Sequence, residues 1–206
     1  MKKTTLGILL LLSFASIPLM AQSTVGFSAG VGERDVLDIN NQPLADGNTV
    51  SIGFFDPGFD VASFVSDLNA LDAAWNEFST TSIQIIFNEP GRFAGSASTF
   101  DPVFDDQDIY MLIYQTADNG TPDPTFSNVM GYGLYTSSLP SWTFPIQGGL
   151  PDASTTSINS SQVNAAMFGA FDANHLMLMP IPEPGTSSLA LLGIGSMLLY
   201  LRMRKR

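Results

Sequence analysis

A chain of 206 residues is long enough for one domain once targeting ends are set aside, and the absence of cysteine excludes disulfide staples, thiolate nucleophiles and thiolate metal sites. The formal net charge is −11; of the 8 basic residues only Arg34 and Arg92 lie between Gln22 and Ile181, where all but one of the 19 acidic residues fall. So acidic a middle is repelled by phosphate backbones and anionic headgroups, which excludes nucleic acid as a partner, while it can attract divalent cations.

The first 21 residues have the three parts of a secretory signal peptide. Lys2 and Lys3 form the charged start, Leu6 to Leu12 and Phe14 to Met20 the apolar run, and Ala21 a small residue before Gln22, so the cut is expected between Ala21 and Gln22. Leu19 fits the third position before the cut less well than alanine would, which leaves room for a shift of a residue or more. A retained anchor is the alternative, but Ser13, Ser16 and Pro18 break the run well short of the ~20 apolar residues a span needs.

In the mature chain, Gly26-Phe27-Ser28-Ala29-Gly30 matches the nucleophile-elbow pattern G-x-S-x-G. An elbow needs a strand before it, a helix after it and a histidine base nearby. Val31-Gly32-Glu33-Arg34 is not a helical pattern, and the only histidine is His175. A hydrolase would require His175 within hydrogen-bonding reach of Ser28 or of a carboxylate; otherwise His175 is a strand-edge residue.

Asp46-Gly47-Asn48 signals a turn, and the alternating Thr49 to Phe55 a strand. From Asp60 to Phe78 the apolar residues Val61, Phe64, Val65, Leu68, Leu71, Trp75 and Phe78 recur every three or four positions. That spacing predicts one amphipathic helix, capped by Asp60, with Trp75 in the core. Ile83 to Phe87 and Ile109 to Tyr114 read as buried strands; Met130 to Tyr135, Ser141 to Ile146 and His175 to Met179 are further strands, and Ser160 to Phe171 a shorter helix with Val163 and Met167 inward. Asp101, Asp105, Asp106 and Asp108 crowd one loop, in which Phe100 and Phe104 are the expected buried residues. Such a carboxylate group suits Ca²⁺, although the glycine and closing glutamate of an EF-hand are missing; the alternative is a solvated acidic turn. Trp142, Tyr132 and Tyr135 are either core residues or a platform on which a sugar could stack. Residues 22–180 are therefore expected to form an acidic, mainly β domain, an antiparallel sheet or sandwich with one amphipathic helix packed on it.

The end of the chain is built differently. Pro182-Glu183-Pro184 lacks two backbone donors and holds an extended segment. Thr186 to Leu201 is apolar and, as a helix, about 24 Å long, slightly short for a bilayer core. Arg202, Arg204, Lys205 and Arg206 form a basic anchor that stays cytoplasmic. With Lys2 and Lys3 also inside, everything between the two apolar segments lies outside, and Pro182-Glu183-Pro184 sits at the outer membrane face.

Ile181 to Arg206, with motif, apolar helix and basic end in order, closely resembles the PEP-CTERM sorting domain. The resemblance implies export through the inner membrane of a Gram-negative bacterium and a C-terminal transmembrane helix. It also implies recognition of Pro182, Glu183 and Pro184 by exosortase, a membrane-embedded enzyme similar in role to sortase; the Leu-Pro-x-Thr-Gly signal of sortase itself is absent. The domain would be anchored in the inner membrane facing the periplasm, then pass to the outer surface or the exopolysaccharide matrix. The expected function is that of a non-enzymatic surface or matrix protein without a cofactor. An exopolysaccharide-binding module, with or without the help of Ca²⁺, is the second reading, and a secreted hydrolase the third.

Overall fold

The computed structural model of the chain describes residues 22–64, 67–147 and 154–181. Alternation of inward and outward side chains produces the first strand, β1 (Ser23–Ala29), in which Val25, Phe27 and Ala29 are buried. β2 (Asp35–Leu37) and β3 (Thr49–Phe55) follow. A 3₁₀ turn at Val61–Phe64 and the short helix α1 (Leu68–Ala73) lead into β4 (Trp75–Ser82), β5 (Gln84–Ile86) and β6 (Glu89–Thr99). β7 (Tyr110–Thr116) and β8 (Val129–Thr136) are, after β3, the most buried strands. β9 (Ser154–Asn159), β10 (Ala165–Phe168), β11 (Ala170–Phe171), β12 (His175–Met177) and β13 (Met179–Pro180) complete the body.

The fold is mainly β. One sheet runs β5-β6-β1-β9; a larger one runs β10-β8-β7-β3-β4, with β13 sharing the β8 edge; a small one runs β11-β12-β2. Val25, Phe27, Phe93 and Ile158 from the first sheet meet Val50, Ile52, Phe54, Met111 and Ile113 from the second in one core. The opposite face of the large sheet is covered as well: Leu112, Tyr114, Tyr132 and Leu134 pack with Val61, Leu68 and Leu71. β3 is consequently buried along its whole length. The pairing is antiparallel except at β1–β9 and β2–β12, which are parallel.

Several expected elements differ. The Asp60 to Phe78 stretch does not form one helix. α1 has 6 residues and is capped by Asp67, whose carboxylate accepts the Ala70 N–H at 3.0 Å. Asp60 instead accepts the Ser63 hydroxyl at 2.6 Å. Trp75 and Phe78 lie on β4, which pairs with β3 from Phe55↔Trp75 to Thr49↔Ser82. The polar and β-branched run Ser79-Thr80-Thr81-Ser82 favours that extended state. Ser160–Gln162 is a single 3₁₀ turn, and strands β10 and β11 replace the rest of the second helix; Val163 is buried as expected, but Met167 is exposed. Ser141 to Ile146 is not a strand: Pro140–Trp142 is 3₁₀, which suits proline at a first helical position, and Thr143 makes only an isolated bridge to Asp108. Ile83 is buried, yet β5 is an edge strand that leaves Ile85 and Phe87 exposed. Phe104 is buried as expected, whereas Phe100 is exposed.

No helix among the described residues is long and apolar enough to cross a membrane. The signal peptide at residues 1–21 and the transmembrane helix and basic anchor expected after Ile181 lie outside the described residues.

Candidate functional site

A concavity opens beside the β3–β4 pair, under the loop that joins β7 to β8. It has a volume of about 380 Å³ and is lined by residues that include Ser51, Asp72, Trp75, Glu77, Thr80, Tyr114 and Phe126. A β-bulge aims its floor. The β3–β4 register shifts between Ile52↔Ser79 and Gly53↔Glu77, leaving Phe78 as the extra residue. Trp75, Glu77 and Thr80 can then line the cleft while Phe78 packs against Phe104 and Phe144 in the core. Trp75 is fixed from several sides. Its indole N–H donates to the Ser51 hydroxyl at 3.3 Å, and that hydroxyl donates to Glu77 Oε2 at 3.2 Å. The Phe55 ring packs 5.0 Å away, and a Cβ at Gly53 would stand 2.8 Å from the indole, so a side chain there would collide with it.

The other wall is a loop organised by Asp123. Its carboxylate accepts the N–H groups of Thr125 and Ser127, at 2.9 and 3.0 Å, and the hydroxyls of the same two residues. Asn128 ties the loop down by accepting the Asp123 N–H at 2.9 Å and donating to Thr121 O at 3.0 Å. This scaffold holds Phe126 at φ 55, a conformation costly for a bulky side chain, with its ring 5.8 Å from Tyr114. The Ser127 and Thr125 hydroxyls hold the Asp123 carboxyl well below the usual carboxylate range. A depressed folded value means the ordered loop gains its full contribution above the ordinary value of 3.8 and loses it only as pH falls through the lower folded value. In an NMR pH titration, Asp123 is expected to have a midpoint clearly below the ordinary value of 3.8; a midpoint at that value would contradict the hydrogen-bonded loop.

A second hollow, of about 300 Å³, is lined by residues that include Glu33, Glu89, Arg92 and His175. His175 Nδ1 meets the Asp35 carboxylate there, and Arg92 pairs with Glu89 at 2.6 Å. The carboxylate contact that a hydrolase would need is thus present, at the start of β12 where it pairs with β2. The nucleophile's setting is different. Ser28 lies within β1, not on a strand-to-helix turn, and its hydroxyl donates to Glu33 Oε2 at 3.1 Å. The residues lining this hollow carry no hydroxyl or thiol.

The last described residues pair into the body. β13 closes on β8 at Met179↔Tyr132 and Pro180↔Gly131, and the Ile181 N–H donates to Met130 O at 3.3 Å. The family of the PEP-CTERM protein-sorting motif matches residues 180–205. The chain carries a PEP-CTERM sorting motif. It marks an exported protein, held in the membrane by its C-terminus before an exosortase-type membrane enzyme processes it. No curated protein and no solved structure matches the chain. Pro182, Glu183 and Pro184 lie outside the described residues, as does Ala21; Gln22 directly precedes β1, so a cut before it leaves that strand whole.

Elsewhere on this PEP-CTERM protein, Trp142, Tyr132 and Tyr135 are core residues and not the alternative sugar platform. All three are fully buried, and the Trp142 indole donates to Gln162 Oε1 at 3.2 Å inside the domain. The four loop aspartates are dispersed in their tasks. Asp101 caps a 3₁₀ turn through the Val103 N–H, Asp105 accepts the Gln147 N–H, Asp106 donates its backbone N–H to Phe144 O at 3.1 Å, and Asp108 sits at the bridge to Thr143. Among the described residues no group of three or more His, Asp or Glu is placed to hold a metal ion. The sequence reading missed the cleft. Its one local signal was the alternation Trp75-Asn76-Glu77, masked by the apolar spacing that precedes it.

Proposed function

We propose that this is a non-enzymatic protein of the cell surface or extracellular matrix, a β-rich domain delivered outside the inner membrane and freed from its tail beside the Pro182-Glu183-Pro184 motif. The observation that carries this reading is the position of the motif. It begins directly after the last strand of the body, so a cut on its C-terminal side spares every described strand. The engagement of Ser28 by Glu33 supports a non-catalytic role. A second reading, an exopolysaccharide-binding module, draws its support from the Trp75 cleft now that Trp142 is buried.

Intact mass tests the sorting reading. In an exosortase-bearing host, the wild-type protein recovered from the matrix is expected to have lost both ends, starting near Gln22 and ending near the motif. A variant with Pro182→Ala, Glu183→Ala and Pro184→Ala is expected to keep its tail and stay with the membrane fraction. A tail retained in matrix-borne wild type, or normal processing of the variant, would refute it.

A further inference from the structure

The Trp75 cleft combines aromatic walls with carboxylates that have no counter-ion among the described residues. Trp75, Tyr114 and Phe126 supply three ring systems around about 380 Å³, a size suited to a small molecule or one sugar residue of a polymer. Glu77 accepts only the neutral Ser51 hydroxyl, and Asp72 makes no side-chain hydrogen bond among the described residues. Both carboxylates bear on the same ring: burial chiefly, then Asp72 and Glu77, push the Tyr114 phenol upward. Asp123, by contrast, has its oxygens occupied by the loop and serves as scaffold.

Among the described residues, no cation pairs with these carboxylates. Arg92 is held by Glu89 and by Glu33 O, and Arg34 lies 5.0 Å over Phe171 while donating to Val163 O at 2.7 Å. Neither arginine lines the cleft. Aromatic faces and anionic oxygens around one cavity attract the same kind of group: a cation bearing carbon, which gains from the ring quadrupole and from Coulomb attraction together. An anionic sugar would be repelled by both carboxylates, and a neutral one would leave them unmatched.

We propose that this cleft binds an organic ammonium group, held between the Trp75 and Phe126 rings with Glu77 and Asp72 as its counter-charges. The ammonium belongs either to an amino-sugar residue of a polysaccharide or to a free small amine. The amino-sugar form deepens the binding-module reading and rests on it; neither form depends on where the domain is delivered.

The test is calorimetric titration of the full-length chain in non-ionic detergent with three probes: a glucosamine trisaccharide, its fully N-acetylated counterpart and choline. The glucosamine trisaccharide is expected to bind at least tenfold more tightly than the acetylated one. Glu77→Gln, which keeps the side chain's shape, is expected to reduce that affinity at least tenfold, and Trp75→Ala to abolish it. Choline bound without the trisaccharide, and weakened by Glu77→Gln, would keep the ammonium site and assign it to free amines. Equal binding of both trisaccharides would overturn the ammonium inference while leaving a glycan-binding module standing. Binding of none of the three by a folded wild-type chain would sink both.

Discussion

Trp142→Ala is expected to destabilise the domain by about 3–5 kcal/mol, the usual range when a large aromatic is removed from a closed core. The indole is fully buried, and Trp142 makes three kinds of interaction. Its ring fills space within the main core, its N–H satisfies Gln162 Oε1, and its backbone carbonyl accepts the Ile109 N–H at 2.8 Å at the head of β7. The backbone bond survives truncation, so the loss divides between the cavity and the abandoned Gln162 oxygen. Gln162 Oε1 also accepts the Asn159 N–H at 3.0 Å, which keeps that oxygen partly satisfied and assigns most of the cost to the cavity. Trp142→Phe, which restores much of the volume but no donor, is expected to recover more than half of the lost stability. Urea unfolding followed through Trp75, the other of the two tryptophans, reads both variants. A loss below about 1 kcal/mol for Trp142→Ala would mean the ring is not enclosed.

Gly47→Ala is expected to destabilise the domain and to disturb the cleft from outside it. Gly47 has φ 91, and a Cβ there would stand 2.2 Å from the carbonyl oxygen of Asn119. The left-handed backbone alone costs an L-residue about 1–2 kcal/mol. The collision adds to this, because its partner is backbone and cannot rotate away. Gly47 is pinned by its own N–H to Ile83 O at 3.0 Å, so Asn119 must give. Next to it, fully buried Asn48 joins the same loop base: its Oδ1 accepts the Thr116 N–H at 2.8 Å and its Nδ2 donates to Asn119 Oδ1 at 3.3 Å. We expect a loss of more than 2 kcal/mol in urea unfolding, with amide shift changes spreading from Asn119 to Phe126 in NMR spectra. A variant as stable as wild type with an unmoved 117–128 loop would show that this contact is not enforced.

The strands that could be read from the sequence are those whose signal is local. β3 alternates, β7 opens on the apolar and aromatic run Tyr110 to Tyr114, and β8 sets Tyr132 and Leu134 in alternation with Gly131 and Gly133. Their double-sided burial follows from two separate covers and could not be seen in any one of them. The 60–78 stretch misled because its spacing of three and four is genuine as far as Leu71, where α1 and the turn before it use it. What ends the helical regime is the pairing of Trp75 with Phe55, a contact between segments distant in sequence. The fate of Trp142 was equally non-local: composition allows a stacking platform, and only the packing of two sheets encloses it. The sorting tail is the opposite case. Its proline pair, apolar run and basic end each act through their own chemistry, so nothing about the rest of the fold was needed to read it.

The placing of β1 bears on how an exported chain matures. It is the first strand to emerge, yet it lies between β6 and β9, the latter in parallel register from Ser23↔Ser154 to Ser28↔Asn159. β13 closes on β8 later still, one step before the sorting motif. Pairing across such sequence separation is slow, since loop-closure entropy is spent before any contact returns it. A chain threaded N-terminus first through a translocation channel therefore cannot complete its first sheet until nearly the whole body has crossed.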